Sequence, residues 1–143
     1  MKRMAVALFA LHLIVPPAYA EDSMDHINPA NTAPGAHLTV DAPIAPLLAK
    51  GAAVIPFHTD NLTIAAVFGA AGLAETPRIG HLHVTLDDAA WHWVHAGADP
   101  LVIQGLAPGA HTVRVDLADP THKVIDTQSV TFIVPTMPQT AAK

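Results

Sequence analysis

The chain has 143 residues, a formal net charge of −5 at pH 7, ten histidines and no cysteine. Seven basic residues against twelve acidic ones exclude a nucleic-acid binder, which needs clustered Lys and Arg to neutralise phosphates, and leave no polybasic segment for an anionic membrane surface. Without cysteine there are no disulfides, no thiolate metal sites and no thiol catalysis, so a hydrophobic core must hold the fold together.

In chain order, Lys2 and Arg3 precede an apolar run, Met4–Val15, broken only by His12. Pro16 and Pro17 end it, and Ala18-Tyr19-Ala20 places small residues where a signal peptidase reads them. The run is about a dozen residues, short of the roughly 20 that span a bilayer. Residues 1–20 therefore read as a secretory signal cleaved after Ala20, and the mature chain is expected in the periplasm or outside the cell, with no membrane attachment. Loss of Lys2 and Arg3 takes the net charge from −5 to −7. Residues 21–35 are polar and rich in Pro, Asn and Asp and read as a flexible leader. Residues 136–143 read as a flexible tail.

Between them, residues 36–135 carry short apolar runs separated by turn residues. Strands are expected at Ala36–Val40, Ala52–Phe57 and Leu62–Phe68, the last two joined by a polar turn at His58–Asn61. Gly69–Arg78 reads as a loop with a short helical turn at Ala70–Glu75. Ile79–Leu86 reads as a strand ending at an Asp87-Asp88 turn, followed by short strands at Trp91–Val94 and Leu101–Gly105. In Ala110–Leu117, His111, Val113, Val115 and Leu117 alternate with Thr112, Arg114 and Asp116, the pattern of a half-buried antiparallel strand. A link at Ala118–Gln128 leads to a last strand, Ser129–Val134. Seven or eight short strands at this spacing make an all-β, immunoglobulin-like antiparallel β-sandwich.

The chemistry concentrates in Gly80-His81-Leu82-His83-Val84. Alternation sends His81 and His83 to one face and Leu82, Val84 and Leu86 into the core. Two imidazoles on one face can reach one metal ion, and imidazole suits copper and zinc. His122 lies in an Asp-Pro bend, and loops gather at the ends of sandwiches, where sites are built. His111 opens a strand on its apolar face, where it fits equally a ligand or a rim-of-core histidine held by a backbone carbonyl. His92 and His95, three apart, face opposite ways in a strand. Thr85 and Arg114 are placed to share the outer face with the histidine pair. No catalytic constellation is present. Ser23 and Ser129 sit in no nucleophile elbow, Asp87-Asp88 reads as a turn, and Gly69–Gly72 lacks the lysine and spacing of a phosphate loop.

The run G-H-L-H-V-T-L-D-D, the Trp-His-Trp segment, L-A-P-G-A-H-T-V-R-V-D-L-A-D-P-T-H-K-V-I-D and S-V-T-F-I-V-P together resemble an uncharacterised family of bacterial exported domains, over roughly residues 36–135. The resemblance implies a family without an established activity. Its matching histidines are His81, His83, His111 and His122, which are the candidate metal ligands. His81 and His83 also match the H-x-H of copper–zinc superoxide dismutases, but the cysteine pair and the zinc-binding loop of those enzymes are missing. Two readings stand: a non-catalytic exported domain that binds copper or zinc through histidines, and an immunoglobulin-like module that docks another envelope protein or a carbohydrate without a metal.

Overall fold

The computed structural model describes residues 35–136. The expected signal, the leader up to Pro34 and the tail from Met137 lie outside them. The described chain is all-β and sandwich-like, with nine strands among the described residues: β1 His37–Val40, β2 Ala52–Ile55, β3 Phe57–Asp60, β4 Thr63–Ile64, β5 Ile79–Leu86, β6 Trp93–His95, β7 Leu101–Gln104, β8 Gly109–Ala118 and β9 Val124–Val134. A one-turn helix, α1 (Ala45–Leu48), separates β1 from β2, and a 3-10 helix spans Ala70–Ala74. No helix among them is long and apolar enough to cross a membrane.

β5 is the pivot of the largest sheet. β8 runs antiparallel along one of its edges and β9 lies beyond β8. Along the other edge, β4 pairs in parallel with Ile79 and Gly80, and β6 pairs antiparallel with Leu82–Val84. Two antiparallel pairs, β1 with β3 and β2 with β7, complete the architecture. Their inward side chains meet those of the large sheet. Leu38, Ala53, Ile55 and Leu101 pack in one core with Leu82, Val84, Val113, Val115 and Leu117. β1 is tied to β9 by a side chain instead of a ladder: the Leu38 N–H donates to Asp126 Oδ2 at 2.8 Å, and His37 Nδ1 contacts the same oxygen at 2.7 Å.

The expected strands at Ile79–Leu86, Leu101–Gly105 and Ala110–Leu117 lie where the sequence places them, and the helical turn after Gly69 is the 3-10 helix. Three expectations are corrected. The Ala52–Phe57 strand is broken at Pro56, which has no N–H to give a ladder, and the chain turns onto a new partner there. His58–Asp60 is therefore not a turn; it is most of β3, paired with β1. The link expected at Ala118–Gln128 shrinks to residues 119–123, because β9 begins at Val124. The first half of β9 alternates between exposed and half-buried residues, so its apolar pattern carries no strong period.

Two close approaches fix the end of the sheet. A Cβ at Gly80 would collide with the Ala118 carbonyl oxygen and press on Leu62. Only glycine lets β5 and β8 come this near, beside the bulge between Leu117 and Ala118. A Cβ at Gly72 would stand 2.7 Å from Pro120 Cβ, and the Gly69 N–H donates to the Pro120 carbonyl at 2.7 Å. The 3-10 segment thus clamps the turn between β8 and β9.

Gly80→Ala is expected to destabilise the protein by about 3 kcal/mol or more, since the obstacle is backbone and cannot swing aside. Gly97→Ala, whose added Cβ would meet nothing closer than 3.7 Å, should stay within about 0.5 kcal/mol of the parent. Urea unfolding of the two variants side by side checks the contrast.

Candidate metal centre

β5 delivers two ligands by alternation. Leu82 and Val84 are completely buried on the core face, which forces His81 and His83 to the other face. His81 pairs across the sheet with Ala118 and His83 with Asp116, so both look toward the end of β8. There the chain reverses through Asp119-Pro120-Thr121-His122, with the His122 N–H donating to the Asp119 carbonyl at 2.9 Å. Asp119 Oδ1 accepts from the Thr121 N–H at 2.7 Å, the Thr121 hydroxyl at 2.7 Å and the Lys123 N–H at 3.1 Å. Burial pushes the Asp119 carboxyl up, but these bonds outweigh it and hold it below the ordinary aspartate value. His122 leaves the turn at φ +68°, a left-handed conformation that costs a non-glycine residue about 1 kcal/mol or more. It turns the ring back over β5.

The result is a triangle of ring nitrogens. His81 Nε2, His83 Nε2 and His122 Nδ1 are each 3.0 Å from the other two. Neutral imidazole has one N–H and one lone pair. A proton placed on one of the three nitrogens points toward only one neighbour, so hydrogen bonds cannot satisfy all three contacts. One cation satisfies three lone pairs together. At the usual zinc–imidazole distance of about 2.0–2.1 Å, an ion would lie roughly 1 Å out of the plane of this triangle. The three residues can hold a metal ion.

The surroundings favour the neutral form of the pair on β5. His81 is fully buried, and its pKa is lowered by that burial first and then by the nearby His83 and His122. The pKa of His83 is lowered by burial, His92 and His122. His81 Nδ1 is buried without a hydrogen-bond partner among the described residues. A buried polar atom left unpaired costs about 1–3 kcal/mol, and an ion at Nε2 would leave this nitrogen protonated and still unpaired. Phe68 packs edge-on against His81 at 4.9 Å and stacks on His122 at 5.9 Å between ring centroids. The nearest acidic side chains are occupied: Asp119 in its turn, and Asp116 by Arg114 Nη2 at 2.9 Å and by the Thr127 hydroxyl at 2.7 Å. Arg114, expected to share this face, does so opposite Thr85, but its charge is spent on Asp116.

Of the four candidate ligands the structure brings together His81, His83 and His122. It does not bring His111. That residue faces the core side of β8, seven residues from Ala118, about 20 Å along the strand. Its Nε2–H donates to the Ala107 carbonyl at 2.8 Å and its Nδ1–H to Asp87 Oδ2 at 2.7 Å. Both nitrogens are thus turned to protein oxygens, away from the other three histidines. These bonds raise the pKa of His111, the Ala107 contact most, and the Thr112 N–H followed by His111 lowers that of Asp87. The apolar-face position of His111 already allowed for a backbone-held rim residue. His92 is a neighbour that strand alternation alone did not place. Its ring stacks on that of His83, with centroids 4.9 Å apart and planes 14° from parallel. His95 points to the opposite face, edge-on to Phe57, with Nε2–H donating to the Asp99 carbonyl.

Opposite signs of pH dependence follow. The lowered pKa values of His81 and His83 mean that the unfolded chain takes up protons first, so metal-free stability falls as pH drops below about 6.5. His81→Leu removes the buried unpaired nitrogen and one of these titrations; it should flatten that loss and raise metal-free stability at about pH 5. The raised pKa of His111 stabilises the fold below about 6.5, and this contribution fades as pH rises through the raised value. His111→Gln should therefore steepen the acid loss. Thermal unfolding of the three proteins across this range reads both slopes, and equal slopes would contradict the assignment.

A family model covers residues 4–143, while no curated protein and no solved structure matches the chain. The chain belongs to DUF6130, a family of unknown function.

Proposed function

We propose that this protein is an exported, non-catalytic domain that binds one copper or zinc ion through His81, His83 and His122. The observation that carries this reading is the triangle of nitrogens from His81, His83 and His122, each 3.0 Å from the other two. Imidazole nitrogens suit both metals. No cysteine or methionine among residues 35–136 adds the soft sulfur that would favour copper(I) over the others. Location outside the cytoplasm is part of the proposal and rests on the first 20 residues of the sequence. In that compartment the domain would hold the ion or hand it to another envelope protein.

The ligands also dictate how the ion is held. Two come from adjacent same-face positions of a strand locked in the core, and the third from a turn braced by Asp119 and Pro120. Such a frame is largely formed before the ion arrives, so little conformational order is lost on binding. The ion displaces no internal salt bridge and adds its charge to an acidic protein.

Isothermal titration with Cu(II) and with Zn(II), at about one pH unit above and one below the unperturbed histidine value of roughly 6.5, tests this. One ion per chain at the higher pH, with clear weakening at the lower as protons compete for the ligands, is the expected result. His81→Ala should weaken binding by at least about 100-fold, more than loss of an outer partner does, and His111→Gln should leave it unchanged. If His81→Ala binds as the parent does, the site is wrong. Weak, non-stoichiometric association would favour the docking module, with Trp91, 62 % exposed beside His92, as a first residue to probe.

A further inference from the structure

A three-nitrogen set leaves a tetrahedral ion one ligand short. On the footing of the three-histidine site, we propose that His92 is its fourth ligand, closing over the ion to make a four-histidine site with no solvent position.

Four observations point to His92. First, its ring borders the set: it stacks on His83 with centroids 4.9 Å apart, although its nitrogens do not lie within 4.8 Å of all three ligand atoms. Secondly, it stands on the right face. His83 pairs with Val94 on β6, and the stacking of His92 on His83 puts the two rings on the same side of the sheet. Thirdly, it is free to turn. His92 is exposed and precedes β6, outside its ladder, in the loop that begins at the left-handed pair Asp87 and Asp88. Ligation would require its side chain to rotate off the face of His83 toward the triangle, and its exposure leaves room for that. Fourthly, the nearby carboxylates stand outside the group of close ligand atoms and are hydrogen-bonded through one oxygen each, Asp119 Oδ1 to Thr121 and Lys123 and Asp116 Oδ1 to Arg114 and Thr127.

The fourth ligand decides what kind of site this is. Three protein ligands with a water in the fourth position is the arrangement of catalytic zinc, whereas four protein ligands make a closed site. Closure by His92 removes the water that would otherwise be activated. It also places one ligand before β6, outside the ladder that holds the other strand ligands.

The test uses the purified protein with Co(II), whose visible spectrum reports coordination number and ligand exchange, and azide as the exogenous ligand. The parent is expected to give an intense four-coordinate spectrum that azide in excess does not alter. His92→Phe keeps the stacked ring and loses the nitrogen. It should bind Co(II) at least about 100-fold more weakly, beyond what loss of an outer partner costs, and give a spectrum that shifts on adding azide. A parent spectrum that responds to azide, unchanged in His92→Phe, would overturn the proposal. So would a parent-like spectrum in His92→Phe together with an altered one in His92→Ala, which would make His92 a stacking residue that positions His83. Failure of the underlying site looks different: Co(II) binding that survives His81→Ala removes both the three-histidine site and its closure.

Discussion

The chain cannot turn β5 over. Leu82 and Val84 are sealed between the large sheet and the smaller strand pairs, and a one-residue slip would drive His81 and His83 into the core and two aliphatic side chains into water. Every other feature of the site takes its position from that lock. The cross-strand register sets Ala118 opposite His81, the bulge beside Ala118 ends the ladder, and the turn that follows carries His122 back over the strand. The imidazoles converge because the aliphatic residues between them have nowhere else to go.

The glycines and the proline translate this lock into ångströms. Gly80 lets the Ala118 carbonyl approach β5 more closely than any side chain would permit, and Gly72 makes room for Pro120. The turn is therefore gripped from two sides, by the sheet end and by the 3-10 segment. A left-handed histidine is tolerated in it because Asp119 satisfies three donors of the same turn. The backbone strain of His122 and the unpaired Nδ1 of His81 are costs that the apo fold bears within one small volume, and such concentration is characteristic of functional sites.

Much of this was legible in the residues. Period-two alternation gave β5 and β8 and the common face of His81 and His83, because a strand with one buried face writes its register into its apolar pattern. His122 was legible as a bend residue, but its meeting with β5 was not, since that depends on how far β8 runs before the bulge. The start of β9 was hidden because the first half of that strand packs too little for burial to impose a clear period. Pro56 was the missed sign that one apolar run is two strands. His111 failed as a ligand for a reason of chemistry more than of position: the sequence showed an imidazole, but not that a carbonyl and a carboxylate would claim both its nitrogens. His92 could be placed only once the pairing of β6 with β5 was known.

Asp126 has a consequence at the opposite side of the sheet. β9 is the last strand of its sheet, eleven residues long, and an open edge of this length is a template on which another chain can add. Its carboxylate, held below the ordinary aspartate value chiefly by the Leu38 N–H, sits at that edge and takes the hydrogen bond of β1 that a backbone carbonyl would otherwise take. A second molecule extending the sheet there would have to strip water from an ionised carboxylate and break its bond to Leu38. One side chain thus joins the two layers, a tie that a cysteine-free domain must make without a covalent brace.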